Sequence, residues 1–160
     1  MPDLQEFILG EFHRTLDDRY RLAIPSELCD PLTGGDGDCV LAKERPGCIS
    51  LWSAAVWREN LQEGVEWVKQ KMRKGKLDDQ LAQVQLFGRL LSTRHRPATL
   101  RGRRLVIPEG FRQFLDVEPG GEVMVVGAAV CLEIWNPALW LQYVQGRMPK
   151  FRRLLDKLAQ

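Results

Sequence analysis

Asp17 and Arg21 stand four residues apart in the stretch Thr15-Leu16-Asp17-Asp18-Arg19-Tyr20-Arg21-Leu22-Ala23-Ile24-Pro25. A second arginine opens the similar stretch Arg104-Leu105-Val106-Ile107-Pro108. A guanidinium is a planar fork of donors that fits a phosphate or the O6 and N7 edge of guanine. A carboxylate four residues earlier, across a tight turn, can organise the loop and orient that fork. It can equally close a salt bridge that only supports the turn. Arg104 has Leu100 at the position equivalent to Asp17, so a salt bridge alone does not account for an arginine there. Arg19, Arg101 and Arg103 share the two turns and suit phosphate contacts, which position a duplex without reading it; plain solvation is the alternative. His13, Arg14, Arg94 and Arg96 are weaker members of the same patch.

The charge distribution agrees with an anionic partner. Net charge is only +2, yet no acidic residue falls between Gln80 and Pro108, where six arginines lie. A localised basic segment in a near-neutral chain has the electrostatics of a nucleic-acid contact, or of a solvated loop. An enzyme reading finds Glu11, Asp17 and Asp18 near His13, and a second carboxylate pair at Asp78 and Asp79. None has a nucleophile or a phosphate-cradling glycine loop at a mechanistic spacing. The expectation is no enzyme, no catalytic residue and no cofactor. Cys29, Cys39, Cys48 and Cys131 form no C-x-x-C pair, and with only two histidines no metal site is expected. Cys48 and Cys131 read as small buried apolar residues. The opening Met-Pro-Asp-Leu-Gln-Glu has neither a basic nor an apolar signal region, and no apolar run reaches membrane-spanning length. The expected location is the cytoplasm, with no membrane and no small-molecule substrate as partner.

These side chains are positioned by a duplication. Pro25 and Pro108 are 83 residues apart, and Trp52 with Trp135, Trp57 with Trp140, and Cys48 with Cys131 keep the same offset. Each copy reads as a short strand ending at proline, a helical segment (Ser26 to Cys29; Glu109 to Leu115), a glycine-rich turn and a hairpin. The turns are Gly34-Gly35-Asp36-Gly37 and Pro119-Gly120-Gly121. The hairpins pair 39–42 with 48–52 and 122–126 with 131–135, the alternation at Val130, Leu132 and Ile134 being that of a half-buried strand. Ser53 and Asn136 suit helix N-caps, with Pro137 at the first helical position. Trp57, Leu61, Val65, Val68 and Met72 line one helix face, and Gly75 ends it. A second helix from about Asp78 carries Leu81, Val84, Phe87 and Leu91. A basic terminal helix is expected after Pro149. The tryptophans can stack bases, but their places at strand ends and on the following helices favour packing. About fifty β-rich residues make a small core, and two copies can interlock, each hairpin covering the other's apolar face.

This ordered set of words resembles the MraZ family, tandem members of the SpoVT/AbrB-like swapped-hairpin DNA-binding proteins. The resemblance rests on Gly10-Glu11-Phe12, the stretch Thr15 to Pro25, Gly47 to Trp52, Gly102 to Pro108 and Leu132-Glu133-Ile134-Trp135, and runs roughly over residues 7 to 143. The first copy keeps the family's D-x-x-x-R motif as Asp17 and Arg21; the second lacks the aspartate. The resemblance implies an α+β fold, a mostly β core with peripheral helices, its two repeats forming an intrachain pseudo-dimer β-barrel. It divides the chain into repeat 1 (7–53), a helical connector (54–93), repeat 2 (94–137) and a C-terminal helical extension (138–160). It also implies a sequence-specific, nucleoid-associated transcriptional regulator. Such a protein binds repeated promoter boxes of the cell-division and cell-wall gene cluster in double-stranded DNA as a ring-like homo-oligomer. The DNA-binding residues would be Arg19, Arg21, Arg101, Arg103 and Arg104, with Asp17 organising its loop. An AbrB-type antitoxin or a non-catalytic nucleoid-associated scaffold is the alternative.

Overall fold

Leu22 and Leu105 face each other across an antiparallel pair of three-residue strands, β2 (Arg21–Ala23) and β6 (Arg104–Val106). The two leucines are the same position of the two repeats, so the local twofold of the duplication passes between them. The computed structural model describes residues 7–34, 36–75 and 77–160; the side chains of 77–79 lie outside that description. The N-terminal hexapeptide, Gly35 of the first glycine-rich turn and the Asp78–Asp79 carboxylate pair therefore lie outside it too.

The remaining strands form one sheet. They are β1 (Glu11–Thr15), β3 (Gly37–Arg45), β4 (Cys48–Ser53), β5 (His95–Leu100), β7 (Glu122–Gly127) and β8 (Leu132–Trp135). All pairings are antiparallel, and the spatial order is β1-β7-β8-β4-β3-β5. Exchanging the repeats reads that order backwards. The opening strand of repeat 1 lies on the hairpin of repeat 2, and the converse pair obeys the same register, Thr15 facing Glu122 as Ala98 faces Cys39. Each copy thus covers the other's hairpin edge, which would otherwise be left unpaired. The pairings run from β1 to β5 without joining them, so the fold is α+β around an open antiparallel sheet, with no hydrogen-bonded closure into a barrel among the described residues. The β2–β6 ribbon supplies the other wall. Leu22 and Leu105 share one core with Leu41, Ile49, Leu51, Val123, Val125, Leu132 and Ile134 of the sheet.

Among the described residues five helices surround this core: α1 (Ser26–Thr33), α2 (Ala54–Lys74), α3 (Leu77–Arg94), α4 (Glu109–Leu115) and α5 (Pro137–Leu158). The short α1 and α4 follow the two prolines and bury Leu28, Cys29, Leu32, Phe111 and Leu115. Both expected caps form: the Ser53 hydroxyl accepts from Val56 N–H, and the Asn136 carboxamide accepts from Ala138 and Leu139. Two helices outlast their expected limits. α1 passes Pro31 and closes on Gly34, whose positive φ lets its N–H reach the Asp30 carbonyl. α5 is continuous through Pro149. The carbonyl that a proline orphans there belongs to Gln145, which is exposed, so water can take the bond.

The strands that sequence patterning did not give are β1 and β5. Both lie at ends of the sheet. β5 contains Pro97, which a central strand would exclude but an edge strand tolerates. The paired tryptophans pack rather than offer a stacking platform. Trp52 meets Trp57 with centroids 6.0 Å apart, and Trp135 meets Trp140 at 5.2 Å.

Candidate nucleic-acid interface

In a two-stranded ribbon alternate side chains face opposite ways. Leu22 and Leu105 point into the core, so Arg21, Ala23, Arg104 and Val106 share the outer face. Arg21 pairs with Val106 and Ala23 with Arg104, which puts the two arginines on a diagonal of one small surface. Along the strands they are two residues apart, roughly 7 Å. Val106 is 53% exposed, a large apolar side chain left open between guanidinium groups. A loop caps each end of the ribbon, Asp17 to Arg21 at one and Leu100 to Arg104 at the other. All five candidate arginines, Arg19, Arg21, Arg101, Arg103 and Arg104, are exposed on this assembly.

The first loop is built by one carboxylate. Asp17 Oδ1 accepts from the backbone N–H groups of Arg19 (2.9 Å) and Arg21 (2.8 Å), and Oδ2 accepts from Arg21 Nε at 2.7 Å. The loop closes with Asp17 N–H on the Arg21 carbonyl and Tyr20 N–H on the Asp17 carbonyl. Tyr20 takes the left-handed conformation, φ 58, that glycine would adopt more cheaply. Its ring is held under the Arg112 guanidinium at 4.0 Å. The Arg21 backbone N–H, followed by that residue's side chain and the Arg19 N–H, keeps the Asp17 carboxyl below its ordinary pKa. A carboxylate with a depressed pKa makes its contribution while ionised and loses it as pH falls through the depressed value. The first loop therefore keeps this geometry at neutral pH and gives it up only in acid.

The second loop has the same number of residues but closes on a tighter turn. Arg101 and Arg104 exchange both backbone hydrogen bonds, at 3.2 and 3.0 Å, around a two-residue turn with Gly102 at φ 58 and Arg103 at φ 59. Two successive left-handed residues define the turn that best matches strand twist. Leu100 ends β5, where it is 1% exposed. An aspartate at that place would be buried, at the cost of desolvating its charge. The carboxylates instead come from repeat 1: Asp36 Oδ1 accepts from Gly102 N–H at 2.6 Å, and Asp30 Oδ1 lies 3.3 Å from Arg103 Nε. Local sequence around the second loop carried no sign of these partners, which lie 66 and 73 residues away.

The weaker candidates disperse. Arg94 ends α3, donates to the Lys43 carbonyl and pairs with Glu44, so it braces the first hairpin rather than joining the ribbon. Arg14 lies in β1 and bonds the neighbouring His13 carbonyl, whereas Arg96 lies in β5 at the other end of the sheet. The cysteines are away from this surface and buried. Burial pushes the Cys39 and Cys131 thiols up to about 12 and raises Cys48 as well. Among the described residues no cluster of three or more His, Cys, Asp or Glu could hold a metal ion, and no helix is long and apolar enough to cross a membrane.

The same chain can be compared with known proteins. A family model described as "MraZ protein, putative antitoxin-like" matches residues 101–156. A transcriptional regulator MraZ of Moorella thermoacetica is 26% identical over 152 residues, covering 94% of this chain and 96% of that protein. The chain is similar to the MraZ proteins over most of its length. Transcriptional regulators MraZ from Thermus thermophilus (28% identical, 88% of this chain and 90% of that protein) and Roseiflexus castenholzii (27% identical, 95% and 96%) align in the same way. Both repeats therefore fall within the MraZ likeness, with the two loops and the ribbon between them. The match to the MraZ model reaches residue 156, so most of α5 lies within the family pattern, beyond the limit near Tyr143 drawn from sequence words alone.

Proposed function

We propose that this chain is a sequence-specific DNA-binding transcriptional regulator that does no catalysis. It acts in the cytoplasm on the nucleoid and binds repeated promoter boxes of the cell-division and cell-wall gene cluster as a ring-like homo-oligomer. The observation that carries the reading is the β2–β6 ribbon with Arg21, Ala23, Arg104 and Val106 on one exposed face. A two-stranded ribbon fits the major groove of B-DNA, where arginine can take guanine bidentately and an aliphatic side chain can meet the thymine methyl. Arg19, Arg101 and Arg103 flank it at the places where phosphates would run, and Asp17 holds the first loop in shape. We read the ribbon and the sheet as the two walls of a swapped-hairpin pseudo-dimer of this DNA-binding kind. The names of the MraZ relatives support the regulatory role.

The test is titration of the protein with its own upstream DNA and with a scrambled duplex at several salt concentrations. Each phosphate neutralised by arginine or lysine contributes about −0.9 to the slope of log K against log salt. Several such contacts are expected, with preference for the upstream DNA. A slope near zero, or equal affinity for both duplexes, sinks the reading.

The oligomer rests on α5. Leu141, Val144, Met148, Phe151, Leu155 and Leu158 are spaced alternately three and four residues apart, the period of a helix seam that packs on another helix. Apart from the half-buried Val144, all are exposed, Phe151 by 53% and Leu158 by 73%. Phe151→Asp with Leu155→Asp should dissociate the assembly while circular dichroism stays unchanged, and binding to multi-box DNA should fall because linkage of sites is lost. Light scattering that finds the double variant as large as the parent removes α5 from the interface. The antitoxin alternative is favoured by one observation, the wording of the matched family description. It predicts that the chain silences the toxicity of a neighbouring gene product on co-expression.

A further inference from the structure

The second loop borrows its order from the other repeat. The β3–β5 ladder ends at Gly37 facing Leu100, which delivers Asp36 beside the turn that follows. Asp36 Oδ1 then accepts from Gly102 N–H at 2.6 Å, the shortest hydrogen bond made by either loop, and Asp30 faces Arg103 Nε at 3.3 Å. A backbone N–H donated to a carboxylate is stronger than one donated to a neutral acceptor. The Asp30–Arg103 pair is half exposed on both sides, so it orients a side chain more than it stabilises the fold. Among the described residues nothing equivalent serves the first loop: the repeat offset carries Asp36 to Pro119 and Asp30 to Gln113, neither with a carboxylate. The two loops thus reach the same end by different routes, one through its own Asp17 and the other through a carboxylate from across the duplication.

We infer that Asp36, assisted by Asp30, is a positioning residue for Arg104, holding the second loop in the shape that presents its arginine to DNA. The inference rests on the DNA-binding reading above. It makes the second loop conditional on the first repeat's α1–β3 segment, and it assigns Arg103 first to Asp30 and only then to phosphate. With the turn fixed at Gly102, Arg104 leaves the loop already in strand conformation beside Ala23, so less of its freedom has to be lost on binding.

Two measurements on the full-length protein test this. Hydrogen exchange of the Gly102 amide reads the clamp without DNA: Asp36→Ala should raise it roughly tenfold, and Asp36→Asn, which keeps an acceptor oxygen, should restore much of the protection. Titration with upstream DNA reads the consequence. Asp36→Ala should weaken binding roughly tenfold in the parent and in an Arg21→Ala background, and should add almost nothing in an Arg104→Ala background. A merely structural role would act equally in both backgrounds, and that result overturns the inference. Unchanged Gly102 exchange, or faster exchange with parental DNA affinity, also overturns it. Failure of the DNA reading itself looks different: the parent then binds upstream and scrambled DNA alike, and only the exchange result still reports on the clamp.

Discussion

Arg21→Ala together with Arg104→Ala is expected to leave a folded, assembled protein that no longer prefers its upstream DNA. Both side chains project from the outer face of the ribbon, and Arg21 contributes only an exposed ion pair to the fold. Such pairs stabilise little. A lost bidentate base contact costs about 1–3 kcal/mol of discrimination, so each single variant should lose about tenfold or more in upstream-DNA affinity. Sequence alone makes Arg104 the lesser reader, because Leu100 cannot orient its loop as Asp17 orients the first. With Asp36 and Asp30 in that role, the two single variants should lose comparable amounts. Arg19→Ala is the control: a phosphate contact should weaken upstream and scrambled duplexes by the same factor. Titration at matched salt, with circular dichroism and light scattering alongside, gives the result. An Arg21→Ala protein that binds like the parent removes Arg21 from the interface, and one that unfolds makes its pair with Asp17 structural.

Leu22→Ala should be the most destabilising single truncation in the ribbon. Leu22 is 0% exposed and faces Leu105, 1% exposed, on the local twofold. Burying a leucine to that extent and then truncating it costs about 2–5 kcal/mol, including the cavity left behind. That is a large share of the 5–15 kcal/mol that typically holds a domain together. The ribbon has only three pairs of residues, so little else anchors it to the sheet. Urea unfolding should show the loss directly, and Leu105→Ala should act in the same direction. The double variant should lose less than the sum, because both side chains line one space. A loss below about 1 kcal/mol for either single variant would mean that the ribbon is not seated on the core as described.

What was legible in the sequence was whatever recurs or alternates locally. The 83-residue offset found the duplication because tryptophan and proline cannot easily be replaced where ring packing or a strand end depends on them. Alternation found the hairpins, and capping chemistry found the starts of α2 and α5. The arginine loops stood out because arginine repeated there without its aspartate. Sequence fell short at β1 and β5, whose identity as strands depends on partners more than eighty residues away in the other repeat for β1 and more than fifty away for β5. A short edge strand with a proline has no periodicity of its own to declare it.

By itself, then, the sequence determined the two-copy plan, the α+β class, the membership of each loop and the arginines that could meet an anion. The plan follows from the 83-residue offset, the class from the family resemblance, and the loops with their arginines from residue type and near-neighbour spacing. Only the tertiary structure decided that the copies exchange their opening strands, that Arg21 and Arg104 share one face two residues apart, and that Asp36 accepts from the Gly102 N–H of the second loop. These facts arise from burial and pairing between distant segments. Such segments are chosen by what each leaves unsatisfied when alone: an unpaired hairpin edge, an apolar ribbon face, a turn N–H without an acceptor.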